Sequence, residues 1–271
     1  MKKRGIFSIG AIVVLLGLLC PAVNGQNELE DDGWDITLTP YFWAAELSGD
    51  ATLRGRTGPV DASFSDIMDN LDIAFMGRAE AWKGKWGLYF DLVYMDLGSE
   101  FSTPAAVVST EMDVKMTTFD FGMGHRLWET KVGEESSQKL SFDVLGGGRY
   151  INLDGEIDIK IGGPLAGLGL GRKFGRREEW VEPVVGGRLR WGLNDKLAVV
   201  VRGDFGGFGI GGGSNLTWNF LAGVDYKLKE NMSLKAGYRI FDLDYDSGSG
   251  SNEFGLDAQF RGPIFGLTMH F

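Results

Sequence analysis

The chain has 271 residues but only one cysteine, two histidines and seven prolines. The cysteine, Cys20, lies in the first 25 residues, so the remainder can form neither a disulfide nor a thiolate site. Two separated histidines, His125 and His270, make a zinc centre improbable. Beyond the first 25 residues no run of about 18 apolar residues occurs, so no transmembrane helix is expected there. Basic residues are also in deficit. The formal charge is −10, with 27 Lys and Arg against 37 Asp and Glu, which argues against nucleic acid as a partner. Disorder is a poor reading too, because aromatics reach 12%.

The first residues have the three regions of an export signal. Lys2, Lys3 and Arg4 form a positive head, Ile6 to Leu19 an apolar run, and Pro21 to Gly25 a small-residue stretch. Val23 and Gly25 suit the −3 and −1 positions, so cleavage is expected after Gly25. Losing three basic residues takes the charge to −10 − 3 = −13. Lipid attachment at Cys20 is disfavoured by bulky Leu19 before it and Pro21 after it.

The remaining sequence alternates with period two. Trp86, Leu88, Phe90, Leu92 and Tyr94 share one face; Gly87, Tyr89, Asp91 and Val93 share the other. Leu216 to Leu228 repeats the pattern for 13 residues, well beyond the usual soluble strand of about 5–6. A tilted membrane strand needs about 9–11. Similar segments at 35–46, 72–83, 111–128, 139–153, 179–191, 196–208, 231–245 and 253–271 bring the count to ten. The expected fold class is therefore all-β, a single antiparallel transmembrane β-barrel of about ten strands, with 26–271 as its one domain. In the last segment the apolar phase Phe254, Leu256, Ala258, Phe260 slips to Phe265, Leu267, Met269, Phe271, which predicts a bulge at Gly262-Pro263.

Short connections at 84–85, 192–195 and 229–231, with a middle-length one at 129–138, alternate with long ones at 98–110, 154–178, 207–214 and 245–252. In such barrels short turns face the periplasm. Trp86, Trp191, Tyr226 and Phe271 then form one aromatic girdle, with Trp82 and Trp128 nearby but out of phase. Residues 47–71 fit no strand cleanly. They read as a hairpin around Arg56 to Pro59 and a helical turn from Phe64 to Leu71, capped by Ser65, with Met68 and Leu71 on its apolar face. If 50–63 pair into the wall, the count becomes twelve.

The segments TPYFWAAELSGD (39–50), WVEPVVGGR (180–188), RGDFGGFGIGG (202–212), AGYRIFDLDYD (236–246) and GPIFGLTMHF (262–271) resemble an uncharacterised group of proteobacterial outer-membrane barrels. More distantly they are similar to small OmpA/OmpW-type barrels. The resemblance implies an outer-membrane location and a last strand ending in Phe271, which the assembly machinery reads. It implies no activity.

Candidate chemistry is sparse. Barrel lipases need a His and a Ser close together, and neither His125 nor His270 has a serine two residues on. The glycines 167, 169, 171 and 175 lack the Lys-Ser or Lys-Thr of a phosphate loop. Asp242, Asp244 and Asp246 read as an acidic loop able to bridge lipopolysaccharide through a divalent ion, without the EF-hand pattern. The lumen-facing phases carry charges of both signs: Arg78, Glu80, Asp91, Asp120, Arg126, Asp143, Arg149, Arg188, Arg190, Arg202, Asp204, Asp225 and Arg239. Unpaired charge in a narrow lumen is costly, so these are expected to pair and plug it. The expectation is a non-enzymatic barrel without cofactor, structural or surface-interacting or a narrow channel, with membrane lipid and lipopolysaccharide as partners. The alternative is an enzyme acting on lipid or glycan.

Overall fold

The computed structural model describes residues 33–102, 108–133, 138–161 and 172–271. The export signal, its cleavage point and Cys20 lie outside these residues, as do glycines 167, 169 and 171. The strands are β1 (Asp35–Trp43), β2 (Glu46–Leu53), β3 (Arg56–Pro59), β4 (Leu71–Lys83), β5 (Trp86–Ser102) and β6 (Val108–Lys131). They continue as β7 (Lys139–Ile161), β8 (Arg172–Gly192), β9 (Leu197–Gly207), β10 (Leu216–Lys229), β11 (Met232–Ser247) and β12 (Phe254–His270). One short helix, α1 (Phe64–Asp69), precedes β4.

β1 pairs antiparallel with β4, each strand from β4 to β11 pairs antiparallel with the next, and β12 closes on β1. Ten strands, β1 and β4 to β12, thus close an antiparallel barrel, as the alternation predicts. β2 and β3 form an additional edge. β2 pairs with β12 and continues the register of β1, so that Trp43↔Ile264 and Glu46↔Arg261 belong to one ladder. β3 folds back on β2 through Arg54 and Gly55, whose φ values of 54° and 75° suit a primed two-residue turn.

The two faces separate by burial. In β5, Trp86, Leu88 and Phe90 are exposed on the wall, while Tyr89, Asp91 and Val93 are buried in the lumen. Membrane-length strands account for only part of the wall. β6, at 24 residues, rises about 60 Å along the axis, against an apolar band of about 25 Å. The alternation in 111–128, 139–153 and 179–191 ends where this band ends, yet the ladders run on to Ile161 and back from Arg172. Charged residues on both faces erase the period without breaking the hydrogen bonds.

Three sequence expectations are corrected. The bulge at Gly262-Pro263 does not exist: β11 and β12 pair without a slip from Met232↔Met269 to Ser247↔Phe254. The even residues of β12 face inward throughout, with Ala258, Phe260 and Thr268 all buried. The slip in hydrophobicity arises because the lumen itself changes from polar to apolar. Ser63, not Ser65, caps α1: its hydroxyl accepts from Asp66 N–H, and the Asp66 carboxylate accepts from Ser63 N–H in return. The helix buries Ile67, and Leu71 already belongs to β4. Asp242, Asp244 and Asp246 stand on strand β11, not in a loop, where Asp244 faces Asp257, which in turn faces Asp50.

Candidate functional site

The short turns and Phe271 share one end of the barrel, with Phe271 N–H donating to Ile36 carbonyl at 2.9 Å. From that end the lumen has a polar floor and an apolar upper half. Each strand makes the change along its own inward face. On β11 the order is Lys235, Gly237, Arg239, then Phe241, Leu243 and Tyr245; on β4 it is Glu80, Arg78, then Met76 and Ala74. Trp43, Met76, Met95, Met116, Ile151, Phe241, Leu243 and Phe260 are among the buried residues of the upper half.

The polar floor is a single hydrogen-bonded chain. Arg126 donates to Glu129 at 3.1 Å and to Asp143 at 2.9 Å. Arg188 binds the other Asp143 oxygen through two nitrogens, at 3.0 and 2.8 Å, and reaches Glu80 at 2.6 Å. Arg78 joins Glu80 at 2.5 Å to Asp91 at 3.0 Å. Tyr41 hydroxyl donates to Asp91 at 2.6 Å and accepts from Arg239 at 3.0 Å. Arg239 donates to Asn219, which donates to Asp204 at 3.0 Å.

Arg149 ends the chain at the barrel centre. Its Nε and Nη2 fork onto Asp120 at 2.7 and 2.9 Å, and Nη2 also meets Asp204 at 2.7 Å. Its Nη1 donates to Thr217 at 3.2 Å, and Thr217 hydroxyl donates to Glu182. Every wall strand except β12 contributes a residue. Planar guanidinium forks suit this, since each can bridge carboxylates from two strands.

The structure therefore brings Arg78, Glu80, Asp91, Asp120, Arg126, Asp143, Arg149, Arg188, Asp204 and Arg239 together. Arg190 and Asp225 pair with each other at 2.9 Å nearer the mouth. Arg202 differs from the rest. It is 6% exposed, lies 3.5 Å from Asp204, and has Nε and Nη2 without a hydrogen-bond partner. Its guanidinium instead stacks 5.1 Å from the centre of the Tyr89 ring, which Arg78 also approaches, at 5.5 Å.

Sequence reasoning missed Glu182, which is 1% exposed and also accepts from Trp180 Nε1 at 3.1 Å. The signal was present, because Glu182 shares the even phase of β8 with Arg188. With it, the seven arginines read from the sequence meet seven carboxylates, and Glu129, bound by Arg126, is an eighth. Trp82 also proves to be a lumen residue. It donates to Glu80 at 2.8 Å and lies beneath the Arg126 and Arg188 guanidiniums. Trp128 points to the wall because a bulge between Arg126 and Trp128 resets its phase. It stacks there on Phe142, 6.2 Å between ring centres.

Neither histidine joins this network. His125 packs on Trp86 at 4.3 Å on the outer wall. His270 Nε2 lies 3.3 Å from Ser233 Oγ at the short-turn mouth, a contact between residues 37 apart that no local spacing reveals.

No family model matches the chain, and no curated protein matches it. Among solved structures it is similar to the outer membrane protease OmpT from Escherichia coli, with a TM-score of 0.56 and 7% identity over 89% of this chain and 97% of that one. The attachment invasion locus protein Ail of Yersinia pestis superposes more loosely, at 0.35 with 11% identity, covering 89% of this chain and 99% of that one. At these identities the likeness concerns the fold alone. That fold is the outer-membrane β-barrel.

Proposed function

We propose that this chain is a non-enzymatic outer-membrane barrel, closed to hydrophilic solutes by its own side chains, that serves a structural or surface-interaction role. The observation that carries this reading is the single chain of hydrogen bonds from Glu129 to Glu182, which crosses the lumen and engages nine of the ten wall strands. In a site this buried, each charge is held by its partners, and moving one aside to admit a solute would strand another at a cost of several kcal/mol. The exposed apolar wall supports residence in a bilayer, and the signal-like first 25 residues support export. The 58% exposure of Phe271, just beyond β12, supports its reading by an assembly factor. Liposome swelling tests the reading: vesicles carrying the folded barrel should resist arabinose and glucose entry as empty vesicles do, and rapid swelling would overturn it.

The Ser233–His270 contact favours a second reading, a hydrolase. Against it, Ser233 is 2% exposed and faces into the mouth. A fluorophosphonate probe separates the two: the first reading expects no labelling of Ser233, the second expects labelling that Ser233→Ala abolishes.

A further inference from the structure

Between β7 and β9 the lipid face of the wall carries an open groove of about 430 Å³. Gly187 and Gly203 form its floor, directly opposite each other on β8 and β9. Phe142, Val185, Leu189 and Phe205 rise around them, and among the described residues no charged or polar side chain lines it. The Phe142 ring leans over Gly187, 3.1 Å from where a Cβ would lie. Trp128 backs that ring from β6, with 6.2 Å between ring centres. Several lumen-facing glycines are required by the fold itself. A Cβ at Gly147, Gly186 or Gly223 would lie 2.1, 2.4 or 2.5 Å from a carbonyl oxygen of the adjacent strand. Gly203 has no such reason. A Cβ there would have the Asn219 carbonyl oxygen at 3.8 Å and the Phe220 ring at 4.0 Å as its nearest neighbours, and its backbone is not left-handed. Glycine weakens a strand, and one that the fold does not need often marks the close approach of a ligand.

Depth in the membrane narrows what that ligand is. On β8 the lipid-facing residues run from Trp191 up to Val181, and Glu179 ends them. At the usual tilt this stretch rises about 25 Å, the full apolar band. Gly187 lies about 10 Å above Trp191 on the same scale, so the groove occupies the half of the band next to the short turns. At its foot Trp128 and Trp191 are exposed on the wall, at the depth where amphipathic indoles meet lipid head groups. The groove is therefore continuous with the surface that the wall presents to the bilayer, and its lining suits hydrocarbon. An apolar cavity of about 150 Å³ holds one benzene, so about 430 Å³ holds much of one acyl chain. A second barrel fits less well, because a stable pair needs about 20–30 residues a side and the groove offers eight.

We propose that this groove is a binding site for one acyl chain of a glycerophospholipid, with the head group beside Trp128 and Trp191. The lipid belongs to the leaflet on the short-turn side, which in such barrels is the periplasmic one. The site rests on the barrel's residence in a bilayer and is independent of the sealed lumen.

Palmitoyl-oleoyl phosphatidylethanolamine is the probe, titrated into the folded barrel in mild detergent and counted by native mass spectrometry. One phospholipid per barrel is expected at saturation, and hexa-acylated lipid A, the lipid of the other leaflet, should not displace it. Gly203→Leu fills the floor of the groove without a backbone clash. It should keep heat-modifiable gel mobility and lose the bound phospholipid. Ala79→Leu adds the same bulk to the lipid face of β4, across the barrel, and should bind as the parent does. Should Gly203→Leu not fold, Val185→Trp blocks the groove at a position whose side chain is already exposed and carries the same expectation. No saturable binding to the parent, undiminished binding in a folded groove variant, or equal loss in Ala79→Leu overturns the site. A dimeric parent that Gly203→Leu turns into a monomer overturns the occupant and assigns the groove to a second copy. Displacement by lipid A overturns the leaflet.

Discussion

Arg149→Met is the sharpest perturbation of the polar floor. Arg149 is 1% exposed and touches Asp120, Asp204 and Thr217 together. Methionine nearly fills its volume, so the change removes charge and hydrogen bonds more than packing. Asp120, 4% exposed, is then left without its cation, and Asp204, 1% exposed, keeps only Arg202 at 3.5 Å. Breaking a buried ion pair on one side costs about 3–5 kcal/mol. With a urea slope near 3 kcal/mol per molar, the unfolding midpoint should fall by roughly 1–1.7 M. Neutralising the stranded acids should recover much of the loss, because the penalty is uncompensated charge. Arg149→Met combined with Asp120→Asn and Asp204→Asn is therefore expected to be more stable than Arg149→Met alone. Reversible urea unfolding in detergent, followed by gel mobility and tryptophan fluorescence, measures both. A single variant within about 0.5 kcal/mol of the parent, or a triple variant weaker than the single, would refute the reasoning.

Arg202→Met should cost clearly less than Arg149→Met, below about 1.5 kcal/mol, because Arg202 gives up a stacking contact and a 3.5 Å ion pair but no hydrogen bond. Equal urea midpoints for the two variants would contradict the network as described. Deleting Phe271 should lower the amount of heat-modifiable barrel recovered in membranes, while Phe271→Tyr should restore most of it; unchanged folded levels after deletion would place the assembly signal elsewhere. The Ser63 hydroxyl and backbone N–H hold the Asp66 carboxyl below the usual carboxylate range. Its contribution to α1 is thus present above the unfolded carboxylate value near pH 4 and fades as pH falls through the lowered folded value. The protection factor of the Ile67 amide, its exchange divided into the intrinsic rate at each pH, should accordingly fall on acidification, and Asp66→Asn should remove that dependence; a protection factor indifferent to both would show that the cap does not hold the helix.

Much of the barrel was legible because a wall strand has to present one face to lipid. β5 and β10 declare their phase through Trp86–Tyr94 and Leu216–Leu228, and charges such as Asp91 and Asp225 fix which face is inside. β12 misleads for a physical reason. Its inward residues Phe254 to Phe260 are as apolar as its lipid face, so hydrophobicity alone assigns them to the wrong side. Trp128 looks inward for a different reason, since a bulge is a property of two strands and leaves no mark in one. Charge pairing along a strand, as at Arg78 and Glu80, could be read from spacing. Asp120 stands directly opposite Arg149 across the adjacent pair β6–β7, so that partner needed only the register; Asp204, 55 residues away on β9, could not be read, because β9 is two strands from β7.

Planar-bilayer recording of the purified barrel tests the sealed lumen most directly. The account predicts no stable openings in molar potassium chloride beyond brief, ion-sized events, and larger currents from Arg149→Met, whose floor has lost its central tie. Long-lived openings of porin size in the parent protein, unchanged by that substitution, would contradict it.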